Sequence, residues 1–131
     1  MRNQLIIAAT FASLSGCAVP PAKPDRPLDQ VQPTPVCSGE QQCSEMWGRA
    51  IQALPMVTRM KIMSATDTFL QTYPTNKIGF LNGQVYKQSL GDGKYAIKGD
   101  FSCAPYTWCD SFRNTTQHSF NMWVQGYDPV K

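Results

Sequence analysis

The residues of this 131-residue chain that could do chemistry are five cysteines and a single histidine. Cys17 stands alone near the start, while Cys37, Cys43, Cys103 and Cys109 form two Cys-x5-Cys pairs. A four-thiolate zinc site would normally show two to four intervening residues rather than five, so no metal and no cofactor are expected. An even number of cysteines in a small exported domain is read by default as disulfides, and three connectivities are open. The expected pairing is local, Cys37 with Cys43 and Cys103 with Cys109. Crossed pairs would constrain the unfolded chain more, by about 4 kcal/mol per bond against 2 to 3 for a local one.

His118 has no accompanying Gly-x-Ser-x-Gly, His-Glu-x-x-His or phosphate-loop pattern, and it is expected to be a structural, hydrogen-bonded residue. Asp92 belongs to a turn and Asp100 to the alternation of a strand, which leaves no carboxylate pair with a stated acid and base role. No catalytic residue is therefore named, and the chain is not expected to be an enzyme. The aromatic residues Tyr106 and Trp108, inside the Cys103 to Cys109 loop, and Trp123, on the polar side of its expected strand, are the candidates for a partner or glycan contact.

Residues 1 to 16 carry Arg2 beside the start amine, an apolar run from Leu5 to Leu14, and the small residues Ser15 and Gly16. This is the grammar of a signal peptide, and a run of about ten residues is too short to cross a bilayer. Leu14-Ser15-Gly16-Cys17 resembles the lipobox of bacterial lipoproteins. The resemblance implies cleavage before Cys17, lipidation of Cys17 with acyl chains such as palmitate, and attachment to a membrane. Ala18, where inner-membrane members of that family often carry Asp, implies sorting to the periplasmic face of the outer membrane. The later Cys-x5-Cys arrangements and the helix between them are similar to small proteobacterial lipoproteins, a likeness that implies no particular activity.

Loss of Arg2 with the signal peptide leaves 11 basic and 9 acidic residues, a net charge of +2. The charges are scattered, which excludes a nucleic-acid stripe. From residue 17 to 36 the chain holds six prolines (Pro20, Pro21, Pro24, Pro27, Pro33 and Pro35), and this stretch reads as a semi-rigid tether. At about 3.1 Å per residue it would reach about 60 Å.

The domain expected over residues 37–131 must position these groups. Ser38 with Gln41 suggests a capping box opening a helix, in which Cys43, Met46, Trp47, Ala50 and Leu54 share one stripe, Glu45 and Arg49 form a solvated pair, and Pro55 ends the run. Alternating residues predict strands over 56–63, 68–73, 85–90, 94–101 and 119–124, with Gly91-Asp92-Gly93 closing a hairpin. The expected fold is α+β, one N-terminal helix packed on a small antiparallel sheet of four to five strands. The expected function is that of a lipid-anchored envelope protein whose periplasmic domain binds or scaffolds. An inhibitor of a periplasmic enzyme, or a small envelope enzyme, are the alternatives.

Overall fold

The computed structural model describes residues 25–104 and 112–127. The fold is α+β: strand β1 (Val36–Ser38), helix α1 (Glu40–Thr58), strands β2 (Ile62–Ala65), β3 (Phe69–Thr72), β4 (Asn82–Gly91) and β5 (Lys94–Ser102), and helix α2 (Arg113–Gln125). The strands form one antiparallel sheet in the order β1-β5-β4-β3-β2. Both helices lie on one face of it. The core between the layers joins Trp47, Ala50 and Leu54 of α1 and Phe120 and Val124 of α2 to Leu70, Val85, Ile97 and Phe101 of the sheet.

Helix α1 buries the expected stripe, but its boundaries move. Gly39, at φ +82°, takes the N-cap instead of Ser38, which ends β1. The capping box does not form: Gly39 has no side chain to accept a helix N–H, and Gln42, not Gln41, reaches back past it, its Oε1 accepting the Ser38 N–H at 2.7 Å. The disulfide Cys37–Cys43, with Cα atoms 5.0 Å apart, ties β1 to the first turn. At the other end the helix runs through Pro55 to Thr58. A proline there removes one late helical bond, to the carbonyl of the partly exposed Ile51. Thr58 provides the actual stop: its hydroxyl donates to the Leu54 carbonyl at 2.7 Å and accepts the Met60 N–H at 3.2 Å, and Arg59 follows in the left-handed region. The strand expected from residue 56 accordingly begins only at Ile62.

The central hairpin forms as expected, with Gly91 paired to Lys94 and both Asp92 and Gly93 at positive φ. Two glycines let the helices approach the sheet. A Cβ on Gly83 would lie 2.7 Å from Leu54 Cδ1 and 2.8 Å from Thr58 Cγ2, and one on Gly99 would lie 3.0 Å from the Phe120 ring.

The strand expected over 119–124 is instead the second half of α2. Phe120, Met122 and Val124 fit a period of two over that short window, but Thr116, Phe120 and Val124 are the buried residues at a four-residue step. Gly126 in the left-handed region closes the helix, its N–H bonding back to the Trp123 carbonyl. The sheet still has five strands because β1, which the sequence did not suggest, replaces the lost one.

Part of the stretch read as tether belongs to the folded body. Pro35 accepts the Ile97 N–H at 2.9 Å and Val36 pairs with Ala96. Further upstream, Gln32 and Pro33 offer carbonyls to Asn121 Nδ2 at 2.6 Å and Gln125 Nε2 at 3.1 Å. Proline keeps residues 32–35 out of helix and sheet, yet their carbonyls remain strong acceptors, and amide side chains of α2 take up those of Gln32 and Pro33.

Candidate functional site

Of the cysteines read as chemistry-bearing, Cys37 and Cys43 are bonded to each other and buried. That bond excludes both crossed connectivities. Cys103 is also disulfide-bonded, with its partner beyond the described residues. Cys17, Tyr106, Trp108 and Cys109 lie outside the described residues. Trp123 sits on α2 rather than on a strand, and its ring packs against the core. It therefore does not join an exposed polar face. Among the described residues no three His, Cys, Asp or Glu side chains gather where they could hold a metal ion.

His118 sits where α2 meets the incoming segment. Its Nδ1 accepts the Gln32 N–H at 3.2 Å, which requires that nitrogen to be unprotonated. Burial lowers the imidazole's pKa below its usual value, and the nearby Arg26 charge lowers it further, against an opposing pull from the Gln30 backbone. Asp25 caps the same end of the helix. Its carboxylate accepts the N–H groups of Asn114 at 2.7 Å and Thr115 at 3.0 Å, together with the Thr115 hydroxyl at 3.0 Å. Burial by itself would raise the Asp25 pKa, but these bonds and the Arg26 N–H outweigh it and hold the group below the usual range. At the other end Arg49 Nε donates to the Val124 carbonyl at 2.8 Å. Arg49 is thus committed to α2, and Glu45 instead accepts from Gln41. A negative group at the N-terminus and a positive one at the C-terminus both suit the helix dipole. This cluster accounts for His118 as a structural residue.

Two features of the surface lie apart from this cluster. One is a cleft of about 550 Å³ between the start of α1 and the hairpin, lined by Glu40, Ser44, Trp47, Asp67, Lys87 and Tyr95 among others. Trp47 forms its floor, its indole N–H donating to the Thr66 carbonyl at 3.1 Å and its ring lying 4.9 Å below Lys87 Nζ.

The other feature is the face of the sheet opposite the helices, over which no described element lies. Cross-strand register fixes its rows. Gln71, Gln84 and Asp100 stand side by side on β3, β4 and β5, and two residues along stand Phe69, Tyr86 and Lys98. The Phe69 and Tyr86 rings are 5.2 Å apart, and the Tyr86 hydroxyl donates to Gln84 Oε1. The polar row borders a hollow of about 260 Å³ that also touches Pro74, Asn82 and Ser102. The aromatic row borders a shallower one of about 620 Å³ with Thr68, Lys87 and Gln88. Sequence reasoning assigned Asp100 to the alternation of a strand but did not single out this face. The available signal was the alternation of Gln84, Tyr86 and Gln88 along β4, which puts three polar or amphipathic side chains on one side.

No family model, no curated protein and no solved structure matches this chain, so its site rests on its own residues.

Proposed function

We propose that this chain is a bacterial lipoprotein, acylated at Cys17 and held at the periplasmic face of the outer membrane, whose small domain acts by binding or scaffolding and not by turnover. Leu14-Ser15-Gly16-Cys17 supports the anchoring. The observation that carries the binding reading is the one-sided sheet: helices cover one face, and the other presents the Phe69–Tyr86 pair among amide and charged side chains. Tyr86 is 42 % exposed in a position where a strand could have carried a small polar residue.

The hydrogen bonds of Asp25 shorten the free spacer. Only eight residue steps separate Cys17 from Asp25, a span of at most roughly 29 Å. The domain is therefore held near the bilayer rather than about 60 Å from it.

Two measurements test the reading together. Metabolic labelling with a fatty-acid probe should mark the wild type and not Cys17→Ser, and retention of label by the variant overturns the anchoring. Detergent extraction of the wild type followed by affinity purification should then recover a bound component that Tyr86→Ser loses; recovery unchanged by that substitution refutes the sheet face as the binding surface.

A further inference from the structure

Building on the proposed anchoring at Cys17, we infer that the loop joining β3 to β4, together with Arg59 and Lys61, is a second membrane contact that sets this end of the domain on the headgroups of an anionic bilayer. Backbone bonds gather the residues. The Leu81 N–H donates to the Thr58 carbonyl at 3.2 Å and the Tyr73 N–H to the Lys61 carbonyl at 3.0 Å, so the end of α1, the approach to β2 and residues 73–81 share one edge of the molecule. Arg59 lies against the loop, its Nη1 3.8 Å from where a Cβ on Gly79 would stand, and Lys77 Nζ lies 5.8 Å from the centre of the Phe80 ring. Ile78 projects from the loop at 72 % exposure, and Tyr73 at its base is exposed too. The loop is braced where it closes: the Thr75 N–H donates to Asn82 Oδ1 at 2.7 Å and the Phe80 N–H to the Lys77 carbonyl at 3.3 Å.

Charge selects the occupant. Among the described residues no acidic side chain pairs with Arg59, Lys61 or Lys77. The only acid between Glu45 and Asp92 is Asp67, and its turn lies at the other end of the sheet, where the Thr68 carbonyl takes the Lys87 N–H. The hairpin end carries Glu40, Glu45, Asp67 and Asp92 against Lys87 and Lys94. The loop end adds Arg26 and Arg113 to its three cations, against Asp25, Asp29 and Asp100. A molecule polarised in this way turns its basic end toward a negative surface. Interfacial contacts combine cations at headgroup level with an apolar side chain that reaches further in and an aromatic at the boundary, which are the parts that Arg59, Lys61, Lys77, Ile78 and Tyr73 supply. A single projecting aliphatic residue would give a protein partner little to bury.

The path of the chain turns the same end toward the lipid. Phe120 packs edge-on against Phe101 near the end of β5, and Gln125 reaches Pro33, close to Pro35 and its bond with Ile97 further back along that strand. Helix α2 therefore begins at the loop end of the sheet, and Asp25 caps that beginning. The acylated Cys17 lies within roughly 29 Å of Asp25, so the anchor and the cationic loop approach the bilayer together. With the domain already held at the surface, each cation brought to anionic headgroups favours docking about fivefold.

Mature lipidated protein reconstituted into phosphatidylcholine vesicles, with and without phosphatidylglycerol, tests the inference by hydrogen exchange. The N–H groups of Ile78 and Gly79 have no hydrogen-bond partner among the described residues, so they exchange readily while the loop is wet. Phosphatidylglycerol should slow exchange over residues 76–79 by about fivefold or more, leave the hairpin turn at 91–93 unchanged, and lose this effect in high salt. Lys77→Glu and Ile78→Ser should each remove most of the protection, with melting temperatures unchanged because both side chains are exposed. Comparing the two vesicles within each variant cancels the change in intrinsic exchange rate. Tyr86→Ser, on the bare sheet face, should dock as wild type. Equal exchange on both vesicles, or protection unmoved by both loop substitutions, overturns the inference. So does protection in detergent that rises with protein concentration, which would assign the loop to contact between copies. Anchoring and docking fail separately: a protein held on vesicles by its acyl chains whose loop exchanges alike on both lipids refutes only this inference, and one without acyl chains whose loop is protected by phosphatidylglycerol refutes only the anchoring.

Discussion

Asp25 accepts the backbone N–H of Asn114 at 2.7 Å, so the first turn of α2 is capped by a residue 89 positions earlier in the chain. The helix has no local side-chain cap of its own. Its orphan N–H groups are satisfied only once the incoming segment has docked, which couples the formation of α2 to the placement of residues 25–36.

A chain beginning at Asp25 should therefore melt like the mature protein, whereas one beginning at Cys37 should be destabilised by more than about 3 kcal/mol, from the lost cap and the lost bonds of Gln32, Pro33 and Pro35. Asp25→Ala alone should cost about 1 to 2 kcal/mol. Urea unfolding followed by circular dichroism checks both, and equal midpoints for the two truncated chains would show that the segment contributes nothing.

Gly83→Ala should destabilise by about 1 to 3 kcal/mol. Its new methyl group would meet Thr58 Cγ2 at 2.8 Å, and Thr58 cannot turn away without breaking the two hydrogen bonds of its hydroxyl. Thr58→Ser, which removes that methyl group, should relieve part of the loss in the double variant, as a double-mutant cycle would report.

The two tryptophans should separate by burial. Trp47, only 6 % exposed and hydrogen-bonded to Thr66, should cost about 3 to 5 kcal/mol on replacement by alanine. Trp123, half-buried against the core, should cost about 1 to 2 kcal/mol. Denaturant midpoints for the pair decide it; a larger loss at Trp123 would contradict the packing of α2.

Acid should weaken the fold in two steps with different owners. The folded protein favours neutral His118, so the unfolded chain binds the extra proton; the contribution is present above the ordinary histidine pKa of 6.5 and is lost as pH falls through the lower folded value. Asp25 follows the same sign at lower pH. Its contribution is complete above 3.8 and disappears as pH drops through its depressed folded value. Stability measured from pH 8 to pH 3 should decline at both places, and His118→Gln should flatten only the upper one. An unchanged upper decline in that variant would assign it to another group.

Much of this domain could be read from local pattern. The stripe of Cys43, Met46, Trp47, Ala50 and Leu54 predicts the buried side of α1 because a helix presents every third or fourth residue to one neighbour. Gly91-Asp92-Gly93 predicts the hairpin because two adjacent residues there must adopt positive φ. Six residues between alternating runs cannot by themselves distinguish a strand from a helix, and the stretch from Ser119 to Val124 shows it: period two and period four both fit. Gly126, readable as a helix stop, was the one local hint for α2.

The candidate surface divides in the same way. That Tyr86 and Gln84 share one side of β4 follows from the two-residue period alone. That Gln71, Gln84 and Asp100 form a row depends on the register between strands, which is set by the burial of Leu70, Val85 and Ile97 under the helices.

By itself, then, the amino-acid order determined the α+β class, the amphipathic α1 and the central hairpin, because each depends on residues a few positions apart, while the bond between Cys37 and Cys43 was chosen from three open connectivities only by the structure. Tertiary structure alone decided that Thr58 rather than Pro55 ends α1, that α2 is a helix, that Asp25 and Arg49 hold its two ends, and that a proline-rich leader becomes part of the fold. Those outcomes depend on hydrogen-bond partners and packing surfaces supplied from elsewhere in the molecule, and no local period encodes them.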